Sequence, residues 1–206
     1  MQPLFRSVCA ILLPMLVVPT AADAGVRAGP RASRLLQQGG RDCESNRSFA
    51  IGLALRTCSF SYFVDPDADE DPDRDYLVDW IQVSAKPLKG RCLTGARGSI
   101  STDGATVVGA TPRRQRASRR ARSRLSVSSH SGQPLGTLSK RYRLAAGRLS
   151  TEVKRRARGD KFEWRWSGRS KRKAVTLVVG VANTIPGSGT GIVFSTGGDD
   201  FRTEVC

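Results

Sequence analysis

Along most of this chain, apolar residues recur at every second position rather than every third or fourth. From Ser48 to Val64, Ile51, Leu53 and Leu55 are followed by Phe60 and Tyr62 with serine and threonine between them. That alternation puts one side of an extended backbone against a core, and its second half is poor in helix formers. Residues 76–85 carry Tyr76, Val78 and Trp80 on one face and Leu77, Ile81 and Val83 on the other, so both faces are partly apolar and an interior strand is predicted. Only an acidic loop separates the two runs, which predicts a long hairpin.

Shorter runs follow at close intervals. Asp103-Gly104 lies between Ser99-Ile100-Ser101 and Ala105-Thr106-Val107-Val108 and predicts a type I′ hairpin turn, because both central residues must tolerate positive φ. Residues 162–166, 174–182, 192–196 and 201–205 are further runs, divided by Gly159-Asp160, Ser167-Gly168, the segment from Asn183 to Gly191, and Gly197-Gly198. Strands at such spacing predict an all-β fold, an antiparallel β-sandwich that is immunoglobulin-like or related. Residues 140–158 fit two periods. Tyr142, Ala145, Leu149, Val153 and Ala157 recur at helical spacing, as a basic amphipathic helix would have them, whereas Tyr142, Leu144 and Ala146, then Leu149, Thr151 and Val153, alternate about a bulge at Gly147. Two strands are the preferred reading, because the segment runs straight into the alternation of Phe162, Trp164 and Trp166.

Residues 1–24 have the form of a secretory signal: Arg6, an apolar stretch from Val8 to Pro19, and Ala22-Asp23-Ala24 before the expected cleavage. The apolar stretch is too short to span a bilayer, which needs roughly 20 residues. A secreted or extracytoplasmic product with no membrane span is expected. Removal of Cys9 with the leader leaves Cys43, Cys58, Cys92 and Cys206, which in an oxidising compartment predict two disulfides with three pairings open. Zinc is disfavoured, since the four include no C-x₂-C pair and the chain has one histidine.

Composition narrows the classes further. With 39% hydrophobic and 25% charged residues in 206, the chain is too apolar for full disorder and too polar for a bundle of membrane helices. The net charge of +16 is concentrated. Residues 25–112 hold 11 basic and 11 acidic side chains, whereas residues 113–173 hold 21 basic and three acidic. The densest part, residues 113–124, has seven arginines in 12 positions and is predicted to be an exposed loop or linker, because like charges at that density resist packing. The expected organisation is thus a leader (1–24), a flexible N-terminal segment (25–47), a first β-rich half (48–112), the arginine-rich linker (113–124) and a second β-rich half (125–206).

A neutral scaffold with one basic region is the arrangement of a protein that faces polyanions. The candidate contacts are Arg113, Arg114, Arg116, Arg119, Arg120, Arg122, Arg124, Arg165, Arg169, Lys171, Arg172 and Lys173, since guanidinium forks match phosphate, sulfate and carboxylate groups. Phe162, Trp164 and Trp166 would offer a stacking platform if exposed; three large aromatics on one strand face are better explained as core. Asp65, Asp67, Asp69 and Asp71 form a weak calcium candidate, departing from the EF-hand pattern at its glycine and its final glutamate. Arg158-Gly159-Asp160 could mimic an integrin ligand at a hairpin tip, though a three-residue match arises easily by chance, and His130 lies in a polar turn without a nucleophile elbow. The function expected is a secreted, non-catalytic β-sandwich that binds anionic polymers such as polysaccharide, cell-wall polymer or nucleic acid, with no cofactor. The alternatives are a hydrolase using a carboxylate pair drawn from Glu152, Asp160 and Glu163, or a structural surface protein without a specific ligand.

Overall fold

The computed structural model describes residues 29–33, 36–64, 74–102, 104–186 and 194–206. The leader and the calcium candidate Asp65, Asp67, Asp69 and Asp71 lie outside them. Within the described residues the chain forms ten strands and no helix: β1 (Leu36–Ser48), β2 (Leu53–Val64), β3 (Arg74–Pro87), β4 (Arg91–Thr102), β5 (Thr106–Thr111), β6 (Arg114–Ser128), β7 (Pro134–Lys154), β8 (Lys161–Ser170), β9 (Val175–Pro186) and β10 (Phe194–Val205). They make two five-stranded antiparallel sheets, ordered β1-β2-β3-β9-β5 and β10-β4-β8-β7-β6. The all-β, sandwich-like class expected from the alternation is the class found.

The core is built from the faces the alternation selects. Phe60, Tyr62, Val78 and Trp80 from the first sheet join Phe162, Trp164, Trp166, Leu149, Leu144 and Leu138 from the second in one buried cluster. The aromatics of β8 are therefore core, none more than 2% exposed. β2 pairs with β3 as the predicted long hairpin, and β3 is an interior strand, partly apolar on both faces as its sequence requires.

Other expectations are corrected. Residues 113–124 are no linker; they form most of β6, an edge strand paired with β7. Ala121, Ser123, Leu125 and Val127 point inward and are buried, while Arg122, Arg124, Ser126 and Ser128 point out. A strand needs apolar residues on one face only, and side chains on its outer face stand roughly 7 Å apart, which eases the repulsion that a sequence count overstates. The two β-rich halves are likewise not separate units, because β9 inserts between β3 and β5 and β4 between β10 and β8. Most of the segment expected to be flexible, 25–47, belongs to β1, whose side chains are largely exposed. An edge strand held by its ladder leaves little apolar pattern to read.

β4 and β5 do not pair as the expected hairpin, since β4 pairs with β8 and β10 while β5 pairs with β9; Asp103 of the expected turn lies outside the described residues. Gly104, at φ 74°, turns the chain from one sheet to the other instead. Residues 140–154 are strand, not helix, within the 21-residue β7. Gly147 takes φ 75° there, and a Cβ at that position would collide with Ser167 and Trp166 on β8. The expected bulge is where β7 bends away from β8.

Disulfides join Cys43 to Cys58, directly opposite on β1 and β2, and Cys92 to Cys206. The second ties the last residue to β4, and the Cys206 amide donates to the Gly90 carbonyl at 3.1 Å. Peptide mapping without reduction is expected to return only these two linked pairs, in a protein about 4 Da lighter than its reduced form. A peptide joining Cys43 to Cys92 or Cys206 would contradict the fold. By the loop-entropy model, opening the larger loop costs about 4–5 kcal/mol.

Candidate functional site

The outer face of the second sheet gathers the basic region. Strand register sets the rows. Arg114 on β6 lies beside Ser150 on β7, Ser150 beside Arg165 on β8, and Arg165 beside Arg97 on β4. One step along, Arg116 pairs with Arg148. Farther toward the β6–β7 turn, Arg122 pairs with Arg141 and Arg124 with Ser139.

Between these rows β6 carries a bulge. Ser118 is opposite Leu144 and Ala121 opposite Tyr142, so β6 spends one more residue than β7 over that interval. The Ser118 hydroxyl accepts the Arg120 amide at 3.1 Å. In an unbroken strand Arg119 would share the inward parity of Ala121 and Ser123; the bulge leaves both Arg119 and Arg120 exposed, beside the position of Arg143 on β7. Re-aiming a side chain is what an extra strand residue does.

Among the described residues none of Arg114, Arg116, Arg119, Arg120, Arg122, Arg124, Arg141, Arg143, Arg148 and Arg165 has an ion-pair partner, and all ten are exposed. Three acidic groups on this sheet are paired with other cations. Glu163 binds Lys154 at 2.6 Å and Lys161 at 2.7 Å, Asp200 binds Arg97 at 2.9 Å, and Glu204 binds Arg169 at 3.0 Å. The hydrogen bonds from Lys154 and Lys161 hold the Glu163 carboxyl down at about 2. It stays ionised and has no proton to give near neutral pH. A groove of about 620 Å³ over this end of the face is lined by Arg97, Arg165, Ser150, Glu152, Glu163 and Lys161, among others.

Of the predicted contacts, Arg113 and the six arginines of β6 lie on or beside one stripe with Arg165. Arg169 is occupied by Glu204, and Lys171, Arg172 and Lys173 are exposed in the β8–β9 turn, away from the stripe. Arg97, Arg141, Arg143 and Arg148 join the face without having been singled out from sequence. Their signal was available, because strand parity through residues 139–148 puts Arg141 and Arg143 on the polar side.

The other constellations resolve structurally. Asp160 is only 5% exposed; its carboxylate accepts the Val107 amide at 2.8 Å and pairs with Arg155. It pins the β7–β8 turn to the start of β5, which removes it from a carboxylate pair and from any exposed Arg-Gly-Asp tip. Glu152 and Glu163 are opposite one another, with Glu163 held by its two lysines. The His130 amide donates to the Tyr76 hydroxyl at 2.7 Å in the β6–β7 turn. Among the described residues no group of three His, Cys, Asp or Glu could hold a metal ion, and no helix is long and apolar enough to cross a membrane.

No protein-family model matches the chain, and no curated protein does. Among solved structures it is similar to one described as a pore forming protein, with 8% identity and a TM-score of 0.46 over 79% of this chain and 89% of that one.

Proposed function

We propose that this protein is exported and binds anionic polymers through the arginine stripe of β6 and β7, without catalysis. The observation that carries the reading is the ten exposed arginines on one sheet that have no ion-pair partner among the described residues, while Glu163, Asp200 and Glu204 on that sheet are each paired with another cation. Clustering unpaired guanidinium groups costs self-repulsion that a bound polyanion would relieve. Two disulfides suit an oxidising compartment, and the ionised Glu163 has no proton to donate as a general acid.

Heparin binding followed across salt concentration tests this. At about 50 mM salt the protein is expected to bind, with affinity falling steeply as salt rises through counterion release. Replacing Arg119, Arg120, Arg122 and Arg124 together with serine is expected to weaken binding at least tenfold and to reduce the magnitude of the log–log salt slope by about 3. The melting temperature should hardly move, because exposed charges contribute little to folding. Undetectable binding at low salt, or an unchanged slope in the variant, would overturn the reading.

A further inference from the structure

The stripe has a direction, and that direction selects a ligand. Resting on the polyanion reading above, we infer that the natural ligand is a flexible linear phosphodiester polymer. It lies lengthwise along β6 and β7 and is read through its backbone charges alone.

Two paths for a chain across the face can be compared. A crosswise path follows the row Arg114, Ser150, Arg165 and Arg97, spanning three strand spacings or roughly 14 Å. It meets two unpaired arginines, because Arg97 is occupied by Asp200. A lengthwise path from Arg114 to Arg124 covers ten residue steps of β6, roughly 30 Å at strand rise. It passes Arg116 with Arg148, the bulge, then Arg122 with Arg141. Cations then recur at roughly 5 Å between strands and 7 Å along them, and none on this path is occupied by a carboxylate among the described residues. Since each neutralised phosphate of a single strand adds roughly 0.7 to the salt slope, the lengthwise path wins by several contacts.

Chemistry narrows the class. The aromatic side chains of β8 all point into the core, 0–2% exposed, and those of β7 and β6 reduce to Tyr142, which is also buried. Among the described residues of β6, β7 and β8 this face therefore presents no ring on which bases or sugars could stack. What remains is planar guanidinium forks in a lattice, with the hydroxyls of Ser126, Thr137, Ser139 and Ser150 on the same side of the sheet. Forks suit phosphate oxygens bidentately, and a flexible backbone can fit its charges to the staggered rows.

Fluorescence anisotropy with the mature protein tests each element. Probes are abasic phosphodiester oligomers of two, four, six and eight units, oligo(dT) of the same lengths, and a heparin hexasaccharide. Affinity is expected to rise at least tenfold between the two-unit and six-unit abasic probes and then to level off. Abasic and oligo(dT) probes should agree within about threefold, since each stacked base would add roughly fivefold or more to the affinity. The eight-unit salt slope should be near −4 or steeper, against about −1.4 for two contacts. R114S and R124S, at opposite ends, should each weaken the eight-unit probe, with R97S neutral. Equal affinity at all lengths, a tenfold preference for oligo(dT) or for the hexasaccharide, or sensitivity to R97S but not R124S would overturn the inference. Those results leave polyanion binding standing, whereas absence of binding by every probe sinks the parent reading.

Discussion

Replacement of Trp166 with alanine is expected to lower stability by about 3–5 kcal/mol, the range for deleting a buried large aromatic side chain. In a domain of this size that corresponds to roughly 10–15 °C in melting temperature. Trp166 is 1% exposed, and its indole Nε1 donates to the Ala146 carbonyl at 2.9 Å, beside the Gly147 bulge where β7 leaves β8. Removal therefore opens a cavity, orphans a carbonyl and loosens the bend that separates the two halves of β7. Thermal and urea unfolding monitored by near-ultraviolet circular dichroism would measure it. A folded W166A protein that had lost only polyanion binding would instead mean that the ring is a ligand contact. The four-arginine variant provides the complementary signature, altered binding at nearly constant stability.

Between about pH 4 and pH 7 the protein is expected to lose stability as the pH rises, on account of Asp79. This side chain projects from β3 away from Trp80, with Ser61 and Val181 as its register neighbours, and one carboxylate oxygen has no hydrogen-bond partner. Burial pushes its carboxyl up to about 7, against about 3.9 in an unfolded chain. Folding thus takes up a proton within that window. The folded-state advantage is complete below pH 4 and fades as Asp79 is forced to ionise, by up to about 4 kcal/mol at 1.36 kcal/mol for each pH unit of separation. D79N should flatten the dependence and be the more stable protein at pH 8, with little difference at pH 4. Glu163 acts in the opposite direction and below pH 4, where its lysine partners lose their carboxylate. Equal pH profiles for D79N and the parent chain would show that Asp79 is solvated.

Legibility from sequence followed the strength of the burial contrast. β2, β3, β8 and β9 bury a full row of large side chains each, and all four were visible. β1 buries little, so its composition resembled a mobile segment even though Cys43 and Cys58 fasten it to β2. β6 hides its strand character differently: the inward residues of its first half are small or displaced by the bulge, and arginine dominates any window average. The candidate face was half visible. Its β6 and β8 arginines were named, but Arg141, Arg143 and Arg148 were obscured by a segment that fits helical and strand periods alike. Once β7 is extended, their side is set by parity.

By itself the sequence determined that the chain would be all-β, that Phe162, Trp164 and Trp166 would be interior, that four cysteines would pair, and that positive charge would concentrate in residues 113–173. These are local consequences of alternation, side-chain volume and composition. Tertiary structure alone decided which cysteines meet, that β4 and β5 belong to different sheets, and that residues 114–124 are a strand whose arginines stand in register with those of β7. The physical reason is that pairing depends on neighbours distant in sequence. A strand's period of two says which residues share a face, and only the partner strands decide what that face adjoins.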